Sequence, residues 1–174
     1  FPAATQYTTQ NTYGDYDIQA NGVGSVIDLS HLVAFAGSFG SSRVAVAAVS
    51  GGRVNLAGAI SGSTTLTITG SGSTLDVTGV TSLQDTTVNA NGGGVASFAA
   101  ATTLTRMNLV AGTTGAGATP GSILFPAATQ YTTQNTYGDH DIQANGVGSV
   151  IDLSHLIAFA GSFGSSRVAV AAVS

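Results

Sequence analysis

The chain has 174 residues, of which 43% are hydrophobic and only 7% charged, and its formal net charge is −4. Ordinary globular domains carry about 25% charged residues, whereas this chain has no lysine, glutamate or cysteine and is rich in glycine. The hydrophobic content excludes a disordered polar tail, the lack of a basic stripe excludes nucleic-acid binding, and no apolar run reaches the roughly 20 residues of a membrane span.

The chain repeats itself. Residues 125–174 copy residues 1–50 with two differences, His140 in place of Tyr16 and Ile157 in place of Val33. A fixed period of this kind is typical of solenoids and other repeat architectures. We therefore interpret residues 1–124 as one complete repeat unit and residues 125–174 as the first part of the next, within one continuous solenoid and without a linker.

Within the unit, short segments of alternating apolar and polar residues are separated by glycine-rich turns. Alternation of this kind predicts half-buried β-strands, and the abundance of Val, Ile and Thr favours strands over helices. In chain order the predicted segments begin at Asp17, Gly24, Arg43, Gly51, Thr65, Gly72, Thr87, Gly93, Arg106, Pro120 and, in the second unit, Gly148. The sequence therefore predicts an all-β fold.

Aligning the segments on their glycines gives three apolar columns, with five short steps in each 124-residue unit. The first column is Ile27, Val54, Leu75, Ala96, Ile123 and Ile151. The second is Leu29, Leu56, Val77, Phe98, Phe125 and Leu153, and the third is Leu32, Ala59, Val80, Ala101, Ala128 and Leu156. A step of 21–28 residues buries its apolar face only by stacking on the next, which predicts a parallel β-solenoid with five rungs per unit.

A polar column between the first two apolar columns supports the same alignment. It places Asn55 between Asp28 and Asp76, so that no two carboxylates lie directly on each other. We expect these side chains to exchange hydrogen bonds along an outward-facing ladder.

The recurring segments GSVIDLSHL, GGRVNL, GSTLDVTGVTSL, GGGVASFAAATTL and ILFPAATQYT resemble the very long Gly/Ala/Ser/Thr-rich repeat proteins of bacterial cell surfaces. Those proteins are similar to filamentous-haemagglutinin-like adhesins and autotransporter passengers. The resemblance covers essentially the whole chain and implies a right-handed parallel β-helix that is secreted by a bacterium. It implies a stalk, fibre, sheath or adhesin at the cell surface or outside the cell, and it carries no catalytic residues and no cofactor.

The nearest approach to an acidic cluster is the pair Asp15 and Asp17, repeated as Asp139 and Asp141. Two carboxylates that lie two residues apart on a strand point the same way, roughly 7 Å apart. Three interpretations are open: a solvated turn beside the glycine, a weak calcium site, and a catalytic carboxyl pair. The solvated turn is the simplest of the three.

A second set of residues is predicted to take part in lateral contacts between fibres or in contacts with glycans. It consists of Tyr7, Tyr13, Tyr131, Tyr137, His31 and His155. The alternative for the tyrosines is a long loop that leaves the rung. Because Phe125 and Tyr131 align with core columns, we expect Tyr7 to be at least partly buried. For the histidines it is an exposed structural role at a tight corner, where other rungs carry small residues such as Gly58.

These features favour a non-catalytic structural segment of an extracellular bacterial fibre, sheath or surface filament. The expected partners are copies of the chain itself, end to end and side by side, and cell-surface polysaccharide. The alternative is the stalk of a surface adhesin that binds glycan or a host or neighbouring surface. An enzyme would need an asymmetric groove, and near-identical duplication of such a groove has no evident purpose.

Overall fold

The computed structural model of the protein describes residues 4–9, 14–37, 43–113, 119–133, 138–161 and 167–173. These ranges contain β-strands and no helix. In chain order the strands are β1 (Gln6–Thr8), β2 (Tyr16–Asn21), β3 (Val26–Leu29), β4 (Ala34–Ala36), β5 (Val44–Val49), β6 (Arg53–Ser61), β7 (Thr64–Thr69), β8 (Thr74–Gln84), β9 (Thr86–Asn91), β10 (Val95–Ser97), β11 (Thr103–Thr105), β12 (Asn108–Gly112), β13 (Ser122–Leu124), β14 (Gln130–Thr132), β15 (His140–Asn145), β16 (Val150–Asp152), β17 (Ala158–Ala160) and β18 (Val168–Val173).

The strands form three faces, and each strand pair among the described residues is parallel. Face A has the order β1-β4-β6-β8-β11-β14-β17, and face B has the order β2-β5-β7-β9-β12-β15-β18. Face C consists of β3, the first halves of β6 and β8, and the three-stranded sheet β10-β13-β16. Successive passes of the chain through the three faces, here called coils, therefore lie next to each other.

The registers follow the steps that the sequence predicts. Ile27 lies opposite Val54, and Val54 lies opposite Leu75, which are steps of 27 and 21 residues. Ile123 lies opposite both Ala96 and Ile151. The prediction of an all-β fold with many-stranded parallel sheets is confirmed, and the arrangement is consistent with a β-solenoid.

The core is a single column of apolar side chains enclosed by the three faces. Strands β5, β7 and β9 alternate strictly between buried and half-buried residues, as expected for strands with one face inward. Aromatic rings stack from coil to coil, with ring centroids 4.7 Å apart for Tyr7 and Phe35 and 4.8 Å apart for Phe98 and Phe125. These separations match the spacing of neighbouring strands, so each ring continues the stacking of the backbone.

The third predicted column is wrong at one coil. Gly58, and not Ala59, lies opposite Val80, while Ala59 lies opposite Ser82. The cause is a pair of register shifts where β6 and β8 run without a break from face C to face A. Ile60 takes the buried position on this part of β6.

Two corners that lead from face B to face C hold only three residues, and both end in a glycine, Gly52 and Gly94. A Cβ atom on Gly52 would lie 2.2 Å from the carbonyl oxygen of Ala20 in the preceding coil, and Gly94 is similarly crowded by backbone. Where the corner holds four residues, a serine stands in the same place. Its hydroxyl closes the corner, as Ser73 does by donating to the Thr69 carbonyl oxygen at 2.7 Å.

Candidate interaction surfaces

The predicted acidic pairs are divided between a corner and a strand. Asp15 precedes β2 and accepts hydrogen bonds from the Arg43 side chain at 3.1 Å and from its backbone N–H at 3.2 Å. Asp17 lies within β2 and is exposed. In the second unit, Asp139 pairs in the same way with an arginine, Arg167, at 2.9 Å. The first member of each pair is therefore a corner residue with an arginine partner.

Asp141, the second member of the later pair, lies on the outward side of β15. Its backbone N–H donates to the Asn108 side-chain oxygen at 2.9 Å. Within the described ranges, no group of three or more His, Cys, Asp or Glu side chains is arranged to hold a metal ion. The calcium prediction stays a prediction.

The two predicted contact tyrosines that the structure describes, Tyr7 and Tyr131, do not form a common surface stripe. Tyr131 is 1% exposed, stacks against Phe159, and donates its hydroxyl to the Met107 carbonyl oxygen at 3.1 Å. Burial raises the pKa of this hydroxyl to about 12. The prediction of a lateral or glycan contact is therefore wrong for Tyr131, because its strand position points into the core. Tyr7 is half-buried, and Tyr13 and Tyr137 lie outside the described residues.

The two histidines of the contact prediction occupy equivalent exposed corners between faces C and A. His31 and His155 are exposed, and each is followed two residues later by a strongly exposed apolar side chain, Val33 or Ile157. Ser154 hydrogen-bonds with His155 at 3.4 Å. The tight corner that the small-residue column predicts is present at Gly58, where an added Cβ would lie 2.4 Å from the Val33 backbone.

The predicted polar ladder on face C is present. The Asn55 amide donates to Asp28 at 3.4 Å, and Arg53 joins Asn55 at 2.7 Å to Asp76 at 3.4 Å. Hydrogen bonds from Ser30, which follows Asp28 in the turn, hold the pKa of the Asp28 carboxyl below its ordinary value. The ladder thus links three successive coils through side chains at the surface.

A second ladder, which the sequence analysis missed, follows the corner where each coil enters face B. We call it the corner ladder, and its members in successive coils are Asp15, Arg43, Ser63, Asp85, Arg106, Asp139 and Arg167. Ion pairs join Asp15 to Arg43, Asp85 to Arg106 and Asp139 to Arg167. The available signal was the sequence separation of each Asp from its Arg, which equals one coil.

The central pair of the corner ladder is the best shielded. Arg106 donates from both Nε and Nη2 to the two carboxylate oxygens of Asp85, and its side chain is 12% exposed. Both residues have positive φ angles, near 50°, because a single residue separates β8 from β9 and two separate β11 from β12. The hydrogen bonds from Arg106 hold the pKa of the Asp85 carboxyl below its ordinary value.

We expect Asp85→Asn to destabilise the protein by about 2 kcal/mol, because it leaves a shielded guanidinium without its carboxylate. Asparagine keeps the size of the side chain and tolerates the positive φ angle. The matched control is Asp15→Asn in the same ladder, where both partners are more than half exposed and the expected loss is below about 0.5 kcal/mol. Urea unfolding of both variants measures the difference, and equal losses would show that shielding does not set the strength of the ladder.

His140 lies beside this central pair, at one of the two positions where the copies differ. Both of its ring nitrogens are shut off from solvent and have no hydrogen-bond partner among the described residues. A polar cleft of about 230 Å³ runs along the same corner, and Arg43, Asp85, Arg106 and Asn108 contribute to its lining with His140. Burial lowers the pKa of the imidazole, Arg106 lowers it further, and the carboxylates of Asp85, Asp139 and Asp141 oppose the shift.

This position predicts a pH dependence of stability. The folded-state pKa of His140 is lowered, so the neutral imidazole favours the folded state. This contribution to the free energy of unfolding is fully present above the unfolded-state pKa of about 6.5 and is lost as the pH falls below that value. His140→Tyr restores the residue of the first copy and removes this titration. Unfolding measured at pH 7.5 and pH 5.5 should show a larger loss for the wild type than for the variant. Identical losses would contradict the prediction.

The protein has three faces of parallel strands around a continuous apolar core, and ladders of side chains join the coils. It is therefore an all-β protein with many-stranded parallel sheets. Models of known protein families, curated protein sequences and solved structures yield no significant match to the chain. Nothing in the described part of the chain is a helix long and apolar enough to cross a membrane.

Proposed function

We propose that the chain is part of a right-handed β-solenoid with five coils in each 124-residue unit. In this proposal it is a non-catalytic structural segment of an extracellular bacterial fibre, sheath or surface filament. Its partners are further copies of the same unit, joined end to end, and neighbouring fibres. The proposal combines the resemblance of the sequence to bacterial surface repeat proteins with the way in which the two copies of the unit meet.

The observation that carries the proposal is the junction between the units. Leu104 of the first unit lies opposite Tyr131 of the second, and Leu109 lies opposite Ile142, in the same parallel registers that join coils within a unit. Phe125, the first residue of the second unit, stacks on Phe98. Because the junction is an ordinary coil step, further units can be added without a change of geometry.

The two copies also show what a coil gains when another coil precedes it. Tyr7 and Ile18 line an open apolar cleft of about 630 Å³, whereas their counterparts Tyr131 and Ile142 are 1% and 3% exposed. The two copies differ only at Tyr16/His140 and Val33/Ile157, so we attribute the difference in burial to the preceding coil. Burial of this apolar surface favours the addition of coils along the axis.

The charged side chains support the structural role as well. All four arginines, Arg43, Arg53, Arg106 and Arg167, form ion pairs with aspartates. Each pair joins neighbouring coils, so the guanidinium groups hold coils together. Arginines engaged in this way favour a structural role over the alternative of an adhesin stalk, as does the burial of Tyr131.

Immunogold electron microscopy of the producing cells tests the proposal directly. Antibodies against the chain should label filaments or a sheath outside the cell envelope. The power spectrum of those filaments should contain a layer line near 4.8 Å, the spacing of stacked strands. Label confined to the cell interior, or to discrete particles without this layer line, would contradict the structural role.

A further inference from the structure

We propose that face B is a self-association surface on which a second copy of the chain packs with its solenoid axis parallel to the first. The inference deepens the proposed structural role, and rests on it, by naming the surface through which neighbouring fibres touch. It is carried by the chemistry of the outward side chains of face B and by the size of that face.

Face B is a broad surface with strands of nearly constant length. It has seven strands, and six of them are six residues long. With strands about 4.8 Å apart and a rise of about 3.3 Å per residue, the face covers about 34 Å by 20 Å. Two such faces in contact would bury roughly 1,300 Å² in total, which lies within the range of specific protein–protein interfaces.

Apart from Gln19 and Gln143, the outward side chains of face B are short, and few of them are charged. Alternate residues of each strand point outward, and those of β7 are Thr65, Thr67 and Thr69. The outward residues of β5 are two alanines and a valine, and those of β9 are a threonine and two asparagines. Asp17 and Asp141, on β2 and β15, are the charged members among the outward positions of these described strands. Short side chains allow two sheets to approach to about 10 Å.

The outward residues of β5 are all apolar and those of β7 are all threonines, and this property selects the symmetry of the pair. A two-fold axis parallel to the solenoid axis sets each strand against the same strand of the second copy. The alanines and valine of β5 then face the same apolar residues of the second copy, and the threonines of β7 face threonines. Asp17 meets Asn21 and Asp141 meets Asn145, so no carboxylate faces another.

The other face-to-face arrangement, with the two solenoid axes antiparallel, is less favourable. It sets the coils of one copy against the coils of the other in reverse order. The apolar outward residues of β5 then face the polar outward residues of β15. Ala45 would then lie against Asp141, which would desolvate a carboxylate without a partner. Parallel packing also continues from one repeat unit to the next, because every unit then meets a unit in the same register.

Sedimentation equilibrium with charge variants at Thr67 tests this arrangement. Thr67 is the middle outward residue of β7, so in the proposed pair it faces Thr67 of the second copy. Thr67→Arg and Thr67→Asp should each weaken association at least about tenfold, because like charges oppose each other. An equimolar mixture of the two variants should associate again. Thermal unfolding of each variant at low concentration confirms that the fold is intact.

Two controls fix the surface and the register. Thr103→Arg places the same charge on the exposed outward side of face A and should leave association unchanged. Ala171→Asp lies on β18, four coils from Thr67, so it gives the arginine introduced at position 67 no carboxylate partner, and its mixture with Thr67→Arg should associate more weakly than the mixture of Thr67→Arg with Thr67→Asp. A wild-type chain that is monomeric at about 0.5 mM, or a Thr67→Arg variant that associates as the wild type does, would overturn the proposal. Neither result would bear on filament formation by tandem units, because Thr67 lies away from both ends of the coil stack.

Discussion

Replacing Leu66 by aspartate is expected to unfold the central coils of the protein. Leu66 is an inward residue of β7 with 0% of its surface exposed, and it packs among the apolar side chains of the core. Burying an unpaired charge at this place should cost about 5 kcal/mol, which is comparable to the whole stability of many domains. The loss should be visible as a collapse of the β-sheet circular dichroism signal or of the thermal transition.

The adjacent residue provides the matched control. Thr67 lies on the same strand and points outward, so Thr67→Asp introduces the same charge without burying it. The expected change in the free energy of unfolding is within about 0.5 kcal/mol when the variant is measured at low concentration. Similar losses for Leu66→Asp and Thr67→Asp would mean that the assignment of inward and outward residues on face B is wrong.

Gly52→Ala is expected to have the second-largest effect. Here the added methyl group would lie 2.2 Å from the Ala20 carbonyl oxygen and 2.6 Å from the carbonyl carbon. Both atoms are backbone, so the two coils would have to separate locally. We expect a loss of about 3 kcal/mol in the free energy of unfolding, because neighbouring coils share the hydrogen bonds that such a movement breaks.

Gly161→Ala separates this crowding from the general effect of replacing a glycine. No atom of the described residues lies within 4 Å of a Cβ built on Gly161, and its φ angle is outside the left-handed region. The substitution should leave the urea midpoint nearly unchanged or raise it slightly, because alanine reduces the freedom of the unfolded chain. A small effect at Gly52 as well would show that the three-residue corner can widen at little cost.

Much of the fold follows from the sequence because repetition supplies an internal alignment. The steps between Ile27, Val54 and Leu75 are visible as recurring glycine turns and apolar pairs, and the structure joins these same residues. The polar ladder at Asp28 and Asn55 follows from the same alignment. Periodicity therefore predicts which residues stack, and the alternation of apolar and polar residues predicts which side faces inward.

Periodicity in the sequence does not predict the register where a local irregularity changes the count of residues. The bulges between β6 and β8 shift Ala59 by one position, and nothing in the alternation of that segment marks them. The corner ladder was missed because Asp85 and Arg106 belong to no apolar column, and their positive φ angles depend on the tight corner. Tyr131 was assigned to a contact surface because its neighbours are polar, although its alignment with the core columns already indicated the burial that the structure shows.

The length of tandem arrays tests the central claim most directly. Polypeptides of one, two and four complete units can be measured by small-angle X-ray scattering and electron microscopy. The account predicts rods of constant width that lengthen by about 24 Å per unit, since five coils advance about 4.8 Å each. Particles that become wider with each unit, or strings of separate globules joined by flexible segments, would contradict a continuous stack of coils.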